Sequence, residues 1–181
     1  MTESDDMIVL DLGCGKHPHP DTDIGVDLHP VEGADIISTL DVADGIEYIP
    51  FNNDVASEVH LRHTLEHLSD LDHILSELCR ITRSGGEIHI RVPYYNSLNA
   101  AVDPTHTDIV NHMTEHTFSY YEDNVLSYET GDASFELLDI NYVWRERGLL
   151  QRLLPNRVKY ELRHEIGNLV EELVIDLQVT A

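Results

Sequence analysis

Lysine is almost missing from these 181 residues: Lys16 and Lys159 are the only two. With the arginines they make 11 basic side chains against 34 acidic ones, a formal net charge of -23. Nucleic acid is therefore not an expected partner, because gripping a phosphate backbone takes basic patches that release counterions. The 12 histidines do not alter this at neutral pH. Cysteine is scarce too. Cys14 and Cys79 form neither a metal-type spacing nor a disulfide framework, so a reducing cytoplasm is the expected setting. No apolar run approaches the roughly 18–20 residues of a membrane-spanning helix. Met1–Asp6 is acidic and polar and does not read as a secretory signal. There is no internal repeat, no low-complexity linker and no acidic tail; the acid is spread along the chain. A charge of this size repels itself in a compact state, and molar salt, with a screening length of about 3 Å, removes that cost. The expected source is the salt-loaded cytoplasm of a halophilic archaeon.

What remains is the pattern of one domain, residues 1–181. Met7–Leu12 is a short apolar run that stops at Gly13-Cys14-Gly15, as a buried parallel strand running into a tight turn. Further strands are expected over 23–28, 34–40, 56–61 and 87–92. Ser69–Thr82 is the clearest helix. Ser69 is its expected cap with Asp72 three residues on, Leu71, Ile74, Leu75, Leu78 and Ile81 share one face, and Gly85-Gly86 is its expected end. Residues 94–133 read as an irregular segment with one short helix near Glu115–Asp123. Leu138, Ile140, Tyr142 and Trp144 alternate as one strand, and Leu173, Ile175, Leu177 and Val179 as another; Gly148–Ile166 between them holds an amphipathic stretch. The predicted class is α/β, a Rossmann-like, mainly parallel sheet of about seven strands with the last antiparallel. Such sheets bind ligands at the carboxyl ends of their strands.

Asp11-Leu12-Gly13-Cys14-Gly15 follows the first strand directly, and Asp27 ends the second, where a carboxylate can accept hydrogen bonds from both hydroxyls of a ribose. A dinucleotide needs a third glycine and a helix N-terminus for its pyrophosphate, but Pro18 stands at that position and no helix signature follows. Asp11 would also face the phosphates. S-adenosylmethionine (SAM) carries an ammonium and a sulfonium and no phosphate, so an acidic turn suits it better.

These residues carry a resemblance. Val9-Leu10-Asp11-Leu12-Gly13-Cys14-Gly15 and Gly25-Val26-Asp27-Leu28 resemble the first two signatures of class I SAM-dependent methyltransferases. Ile49-Pro50-Phe51-Asn52-Asn53 with Ser57-Glu58-Val59, His63-Thr64-Leu65-Glu66-His67-Leu68, Glu77-Leu78-Cys79-Arg80-Ile81 and Ser84-Gly85-Gly86 are similar to successive motifs of the type 11 methyltransferase family. The series covers residues 7–93. Beyond it, Asp103-Pro104-Thr105-His106 is similar to a short motif of relatives associated with glycan or cell-surface pathways. The resemblance implies SAM as cofactor, with Asp11, Gly13, Cys14 and Gly15 around its methionine part, Asp27 and Leu28 at the ribose, Asp41 and Val42 at the adenine, and Arg62 and His63 beside the methionine or the acceptor. It implies a small-molecule or glycan-type acceptor near 94–133, with Tyr94, Tyr95 and His106 on the acceptor side and His106 as the candidate base. The chain departs from the family between Gly15 and Asp27 and between Asp27 and Asp41, where there is no room for the usual helices. Those crossovers are expected to be loops.

Other groups have blander readings. His63 and His67, and His112 and His116, are four apart as in a helical metal pair, but packing and surface roles are the default. His17, His19 and Lys16 read equally well as solvated loop residues. Cys14 fills a tight turn and is no expected nucleophile. Leu149, Leu150, Leu153 and Leu154 cover a core or form a homodimer patch. A non-catalytic SAM-binding or scaffold protein fits the same motifs.

Overall fold

A computed structural model describes residues 7–41, 48–101, 112–123, 134–146 and 152–180. The first strand, β1, is Ile8–Leu12; β2 is Ile24–Asp27 and β3 Ile36–Ile37. Next come β4 (Ala56–Arg62), a single 3-10 turn at Leu65–His67, helix α1 (Leu71–Ile81) and β5 (Thr82–Pro93). Helices α2 (Leu98–Ala101) and α3 (Glu115–Asp123), β6 (Ser134–Trp144), α4 (Asn156–Leu162) and β7 (Val170–Thr180) complete the chain. The seven strands form one sheet in the order β3-β2-β1-β4-β5-β7-β6. β7 runs antiparallel to both β5 and β6, and the pairs from β3 to β5 are parallel. The expected fold class is the observed one. The strand order reverses between β1 and β4, so the glycine turn and the end of β4 stand side by side at the switch point, where open α/β sheets bind ligands.

One side of the sheet is apolar. Leu10, Leu12, Val26, Val59, Leu61, Ile88, Ile90, Leu173, Ile175 and Leu177 are buried there in one cluster with Ile74, Leu75, Leu78 and Ile81 of α1. The other side is polar. Glu58, His60 and Arg62 of β4 lie opposite Glu87, His89 and Arg91 of β5, and these neighbour Gln178, Asp176 and Val174 of β7. Most are half-buried or exposed. Parallel sheets are normally covered on both faces; among the described residues no helix covers the polar side of this one, and the cause is local. The crossovers from Gly13 to Asp23 and from Leu28 to Asp35 contain no helix, as their length and prolines predicted. The His17–Pro20 loop lies over the polar side instead: His19 stacks on His60 at 3.9 Å between ring centres, and His60 on His89 at 4.9 Å. Burial, then His19 and His89, push the His60 imidazole down to about 4, so it is neutral at neutral pH.

Three local expectations need correction. Ser69 does not cap α1. Asp70 does, accepting from the His73 amide at 3.0 Å, while Ser69 gives both its amide and its hydroxyl to Asp41. Gly85 has the left-handed φ expected of a helix terminator, +76°, but α1 has already ended at Ile81; Gly85 lies inside β5, where the pairing with β4 slips between Thr82 and Glu87. Leu138 does not share a face with Ile140 and Tyr142. The pairing of β6 with β7 slips between Leu137 and Asp139, and this bulge leaves Leu138 exposed. A single added residue reverses every side chain on one flank of the slip.

The segment before β4 is tied to α1 by one arginine. Buried Glu77 accepts from the Ile49 amide at 2.7 Å. Arg80 meets Glu77 at 2.6 Å and donates to the carbonyls of Phe51 (2.9 Å) and Ile49 (3.0 Å) and to Asn53 Oδ1 (3.0 Å). The two separate stretches that resemble type 11 motifs, around Pro50 and around Arg80, are thus one physical unit.

Candidate functional site

The amides of Gly13 and Cys14 both donate to the Val26 carbonyl, at 2.8 and 3.1 Å, locking the turn after β1 onto β2. Gly13 and Gly15 take φ of +75° and +60°. A Cβ on Gly13 would stand 2.1 Å from Thr64 Oγ1, so the turn rests directly on the chain leaving β4. A Cβ on Gly15 would meet nothing within 4 Å. The upper side of the turn is open where a ligand's backbone contacts would form. Asp27 Oδ2 accepts from the Gly15 amide at 2.9 Å and Oδ1 from the His29 amide at 2.8 Å. Each carboxylate oxygen still has a lone pair for a hydroxyl. Beside Asp27, Leu28 is 54% exposed, an apolar surface suited to a purine ring. The donor set fits SAM: open glycine backbone, a carboxylate with spare lone pairs at the end of the next strand, and an exposed leucine.

Asp11 is placed differently from the expectation. It is fully buried; its Oδ2 accepts from the His19 amide at 2.7 Å and from Arg62 at 2.9 Å, and Arg62 also donates to the His17 carbonyl at 2.7 Å. Asp11 therefore braces the loop from below through Oδ2, and its Oδ1 is buried with no hydrogen-bond partner among the described residues. Cys14 is buried, its thiol on the Gly33 carbonyl and pushed up to about 11, by burial first and then by Asp11 and Asp27. A thiol at that value is not a nucleophile at neutral pH. Asp41 is held by Ser69 at the edge beyond β3. Val42 and His106 lie outside the described residues.

Tyr94 also needs correction. It is fully buried, and its hydroxyl meets Glu115 Oε2 at 3.2 Å and His164 Nδ1 at 3.1 Å, so it pins α3 to the chain beyond α4 and does not line an acceptor pocket. Tyr95 is half-buried, edge-on to Tyr94. Ligand atoms of Glu115, His116 and His164 fall within 4.8 Å of one another, but Arg163 already donates to the same Glu115 oxygen at 2.7 Å. A guanidinium there opposes a metal ion. His112 precedes α3 and shares no helical face with His116.

The group missed by sequence reasoning surrounds His63. Neither His63 nor His67 is on an α-helix; His63 is a non-glycine residue at φ +56°, just past β4. Its Nε2 is 3.1 Å from Glu172 and its Nδ1 3.5 Å from Glu66. These carboxylates outweigh burial and push the imidazole up to about 9, so at neutral pH it is a cation and not a general base. Burial alone would raise the Glu172 carboxyl; His63 and Arg91 prevail and hold it low. The available signal was the alternation of charge with Val59, Leu61, Ile88 and Ile90, which marks one face of β4 and β5 as open. A prediction follows from the sign of the shift. A histidine raised in the folded state stabilises fully below its unfolded value near 6.5, and that contribution is lost as pH rises through about 9. His63→Asn keeps a residue that tolerates left-handed backbone. Its melting temperature should fall below the parent's at pH 6 and converge with it by pH 10; a constant difference across that range contradicts the ion-pair assignment.

Residues 24–90 match the type 11 methyltransferase family profile, described as a methyltransferase domain. The match starts at β2, past the proline-rich loop. Among solved structures, a SAM-dependent methyltransferase from Archaeoglobus fulgidus is 20% identical, with 95% of this chain and 86% of that one covered and a TM-score of 0.61. The chain has the Rossmann-like methyltransferase fold. A methyltransferase in complex with the Haloferax volcanii Trm112 methyltransferase activator is 15% identical over 97% of this chain and 83% of that one, TM-score 0.59. Geranyl diphosphate C-methyltransferase from Streptomyces coelicolor, solved with S-adenosyl-L-homocysteine, is 14% identical over 96% of this chain and 71% of that one, TM-score 0.59. No curated protein matches the chain. The family match and these neighbours support SAM as the cofactor. No helix among the described residues is long and apolar enough to cross a membrane.

Proposed function

We propose that this chain is a SAM-dependent methyltransferase of a salt-loaded cytoplasm, acting on a small-molecule or glycan-type acceptor. The observation that carries the reading is the pairing of Asp27 with the open glycine turn: a carboxylate with spare lone pairs, fixed by the Gly15 amide at 2.9 Å, next to backbone with free space above it. When bound, SAM supplies an electrophilic methyl group. The residues that would hold it are Gly13, Cys14 and Gly15 through their backbone, Asp27 at the ribose, and Leu28 and Asp41 at the adenine. Arg62 borders the same edge, and Val42 is proposed for the adenine beside Asp41. Buried Asp11 contributes a negative field under a ligand that is cationic at its sulfur and amine. The protein's part in methyl transfer is alignment and exclusion of water, effects worth up to about 7–11 kcal/mol. His63, held as a cation, does not remove a proton from the acceptor; His106 is the remaining histidine proposed for that task, with Tyr95 beside the acceptor. Leu153, largely exposed, is where a homodimer contact is proposed.

Asp27→Ala tests the reading. Loss of a buried polar partner costs about 1–3 kcal/mol, so calorimetric titration in molar KCl should show SAM affinity falling by roughly five- to a hundredfold. An unchanged dissociation constant removes Asp27 from the ribose role. The second reading, a scaffold that binds SAM without turning it over, is favoured by one feature: both Asp27 oxygens already serve the backbone of the shortened loops. Labelled SAM incubated with cell extract separates the two, since a scaffold gives binding and no labelled product.

A further inference from the structure

The polar face of the sheet ends, at the carboxyl edge of β4 and β5, in three cations set side by side. Arg62 and Arg91 are paired across the two strands. His63 follows Arg62, and its amide donates to the Arg91 carbonyl at 2.8 Å. In a chain with 11 lysines and arginines against 34 acids, such a grouping runs against the background.

Each cation has its anion, and the two kinds of charge are layered. Asp11 pairs with Arg62, Glu66 and Glu172 with His63, and Glu172 with Arg91. The side chains of the three carboxylates are 0%, 3% and 12% exposed. The cationic side chains are 35%, 43% and 45% exposed. Total charge is balanced, but negative lies beneath and positive on top. A ligand approaching from solvent meets the nearer charge first, and Coulomb energy falls with distance. Two further observations mark the place as more than an ordinary surface network. His63 holds a left-handed backbone that only its surroundings enforce. Buried Glu66 sets its Oε1 3.5 Å from His63 and 3.9 Å from His67, while its Oε2 has no hydrogen-bond partner among the described residues. Glu172 engages Nε and one terminal nitrogen of Arg91; among the described residues nothing engages the other.

We infer that Arg62, His63 and Arg91 form the recognition point for an oxyanion, a carboxylate, sulfate or phosphate group, carried by the methyl acceptor. The inference rests on the methyltransferase reading, which puts the acceptor at this edge. Arginine's planar fork matches such groups in geometry as well as charge, and the buried carboxylates hold the three cations in place before the ligand arrives.

The test uses sulfate, whose charge does not change between pH 6 and 10, titrated calorimetrically into the full chain saturated with S-adenosylhomocysteine at constant ionic strength in KCl. Saturable binding is expected, weakened by about tenfold or more in Arg91→Gln, with S-adenosylhomocysteine affinity in that variant within about twofold of the parent. His63→Asn, which preserves the backbone, should weaken sulfate binding as well. Sulfate affinity equal in parent and Arg91→Gln, or no saturable sulfate binding by protein that does bind S-adenosylhomocysteine, overturns the assignment and leaves the methyltransferase reading standing. Sulfate that binds only without S-adenosylhomocysteine also overturns it and gives the cations to the cofactor's own carboxylate. Failure to bind S-adenosylhomocysteine at all brings down the methyltransferase reading, and the acceptor site with it.

Discussion

Arg80→Ala is expected to destabilise the fold by about 3–5 kcal/mol, the range for removing one partner of a buried ion pair. Thermal unfolding should read this as a fall of roughly 6–20 °C, at about 2–4 °C per kcal/mol for a chain of this size. Two losses add. Glu77 is buried and would keep a charge with only the Ile49 amide to answer it, and the carbonyls of Ile49 and Phe51 would lose their donor. The control is Glu77→Gln combined with Arg80→Met, which removes both charges at similar volume and should recover much of the loss. If Arg80→Ala melts within about 2 °C of the parent, the hook between α1 and the segment before β4 is not what holds it.

Gly13→Ala is expected to cost nearly as much, by a different route. A residue with a Cβ pays about 1–2 kcal/mol to sit in left-handed backbone. The new atom would also stand 2.1 Å from Thr64 Oγ1 and 2.9 Å from Thr64 Cβ; turning the side chain relieves the first contact but not the second, and overpacking of this kind costs about 1–3 kcal/mol. Gly15→Ala takes the same backbone penalty without the collision, because nothing lies within 4 Å of its Cβ. The pair separates two roles of one turn. Gly13→Ala should melt well below Gly15→Ala, while Gly15→Ala, which puts a methyl group into the space proposed for SAM, should lose SAM affinity with a modest change in stability. Equal melting temperatures contradict the contact between the turn and Thr64.

The parts of the fold that were legible in the sequence are those where one local force dominates. The run Ile8–Leu12 is uniformly apolar and stops at glycine, and α1 carries its apolar stripe at helical spacing. Glu115–Asp123 was placed at its observed ends, and Leu173, Ile175, Leu177 and Val179 are all buried as their alternation required. The failures come where two local signals compete or where a long-range partner decides. Ser69 and Asp70 are both good caps, and Asp41, 28 residues away, claimed the serine. The bulge at Leu138 is invisible to a period count. At the candidate site, the tight turn at Gly13 and Gly15 and the place of Asp27 at the end of β2 were legible because both follow from local backbone patterning. The partners of Asp11 were not legible because sequence cannot show that Arg62, 51 residues on, would fold over it. Glu172 and Arg91 were missed because their meeting with His63 depends on the register between β5 and β7.

The polar face, which no helix among the described residues covers, differs in its tolerance of change. In a sheet sandwiched between helices, each central strand is constrained at every position, and a change at one demands an answering change in the layer opposite. Here Glu58, Glu87, Gln178 and Asp139 face water or one another across neighbouring strands. Such positions can drift in size and charge without disturbing the close-packed interior on the reverse side. The molecule thus keeps a broad evolutionary margin beside the carboxyl edge of the sheet, where new recognition groups can be tried with little penalty to folding.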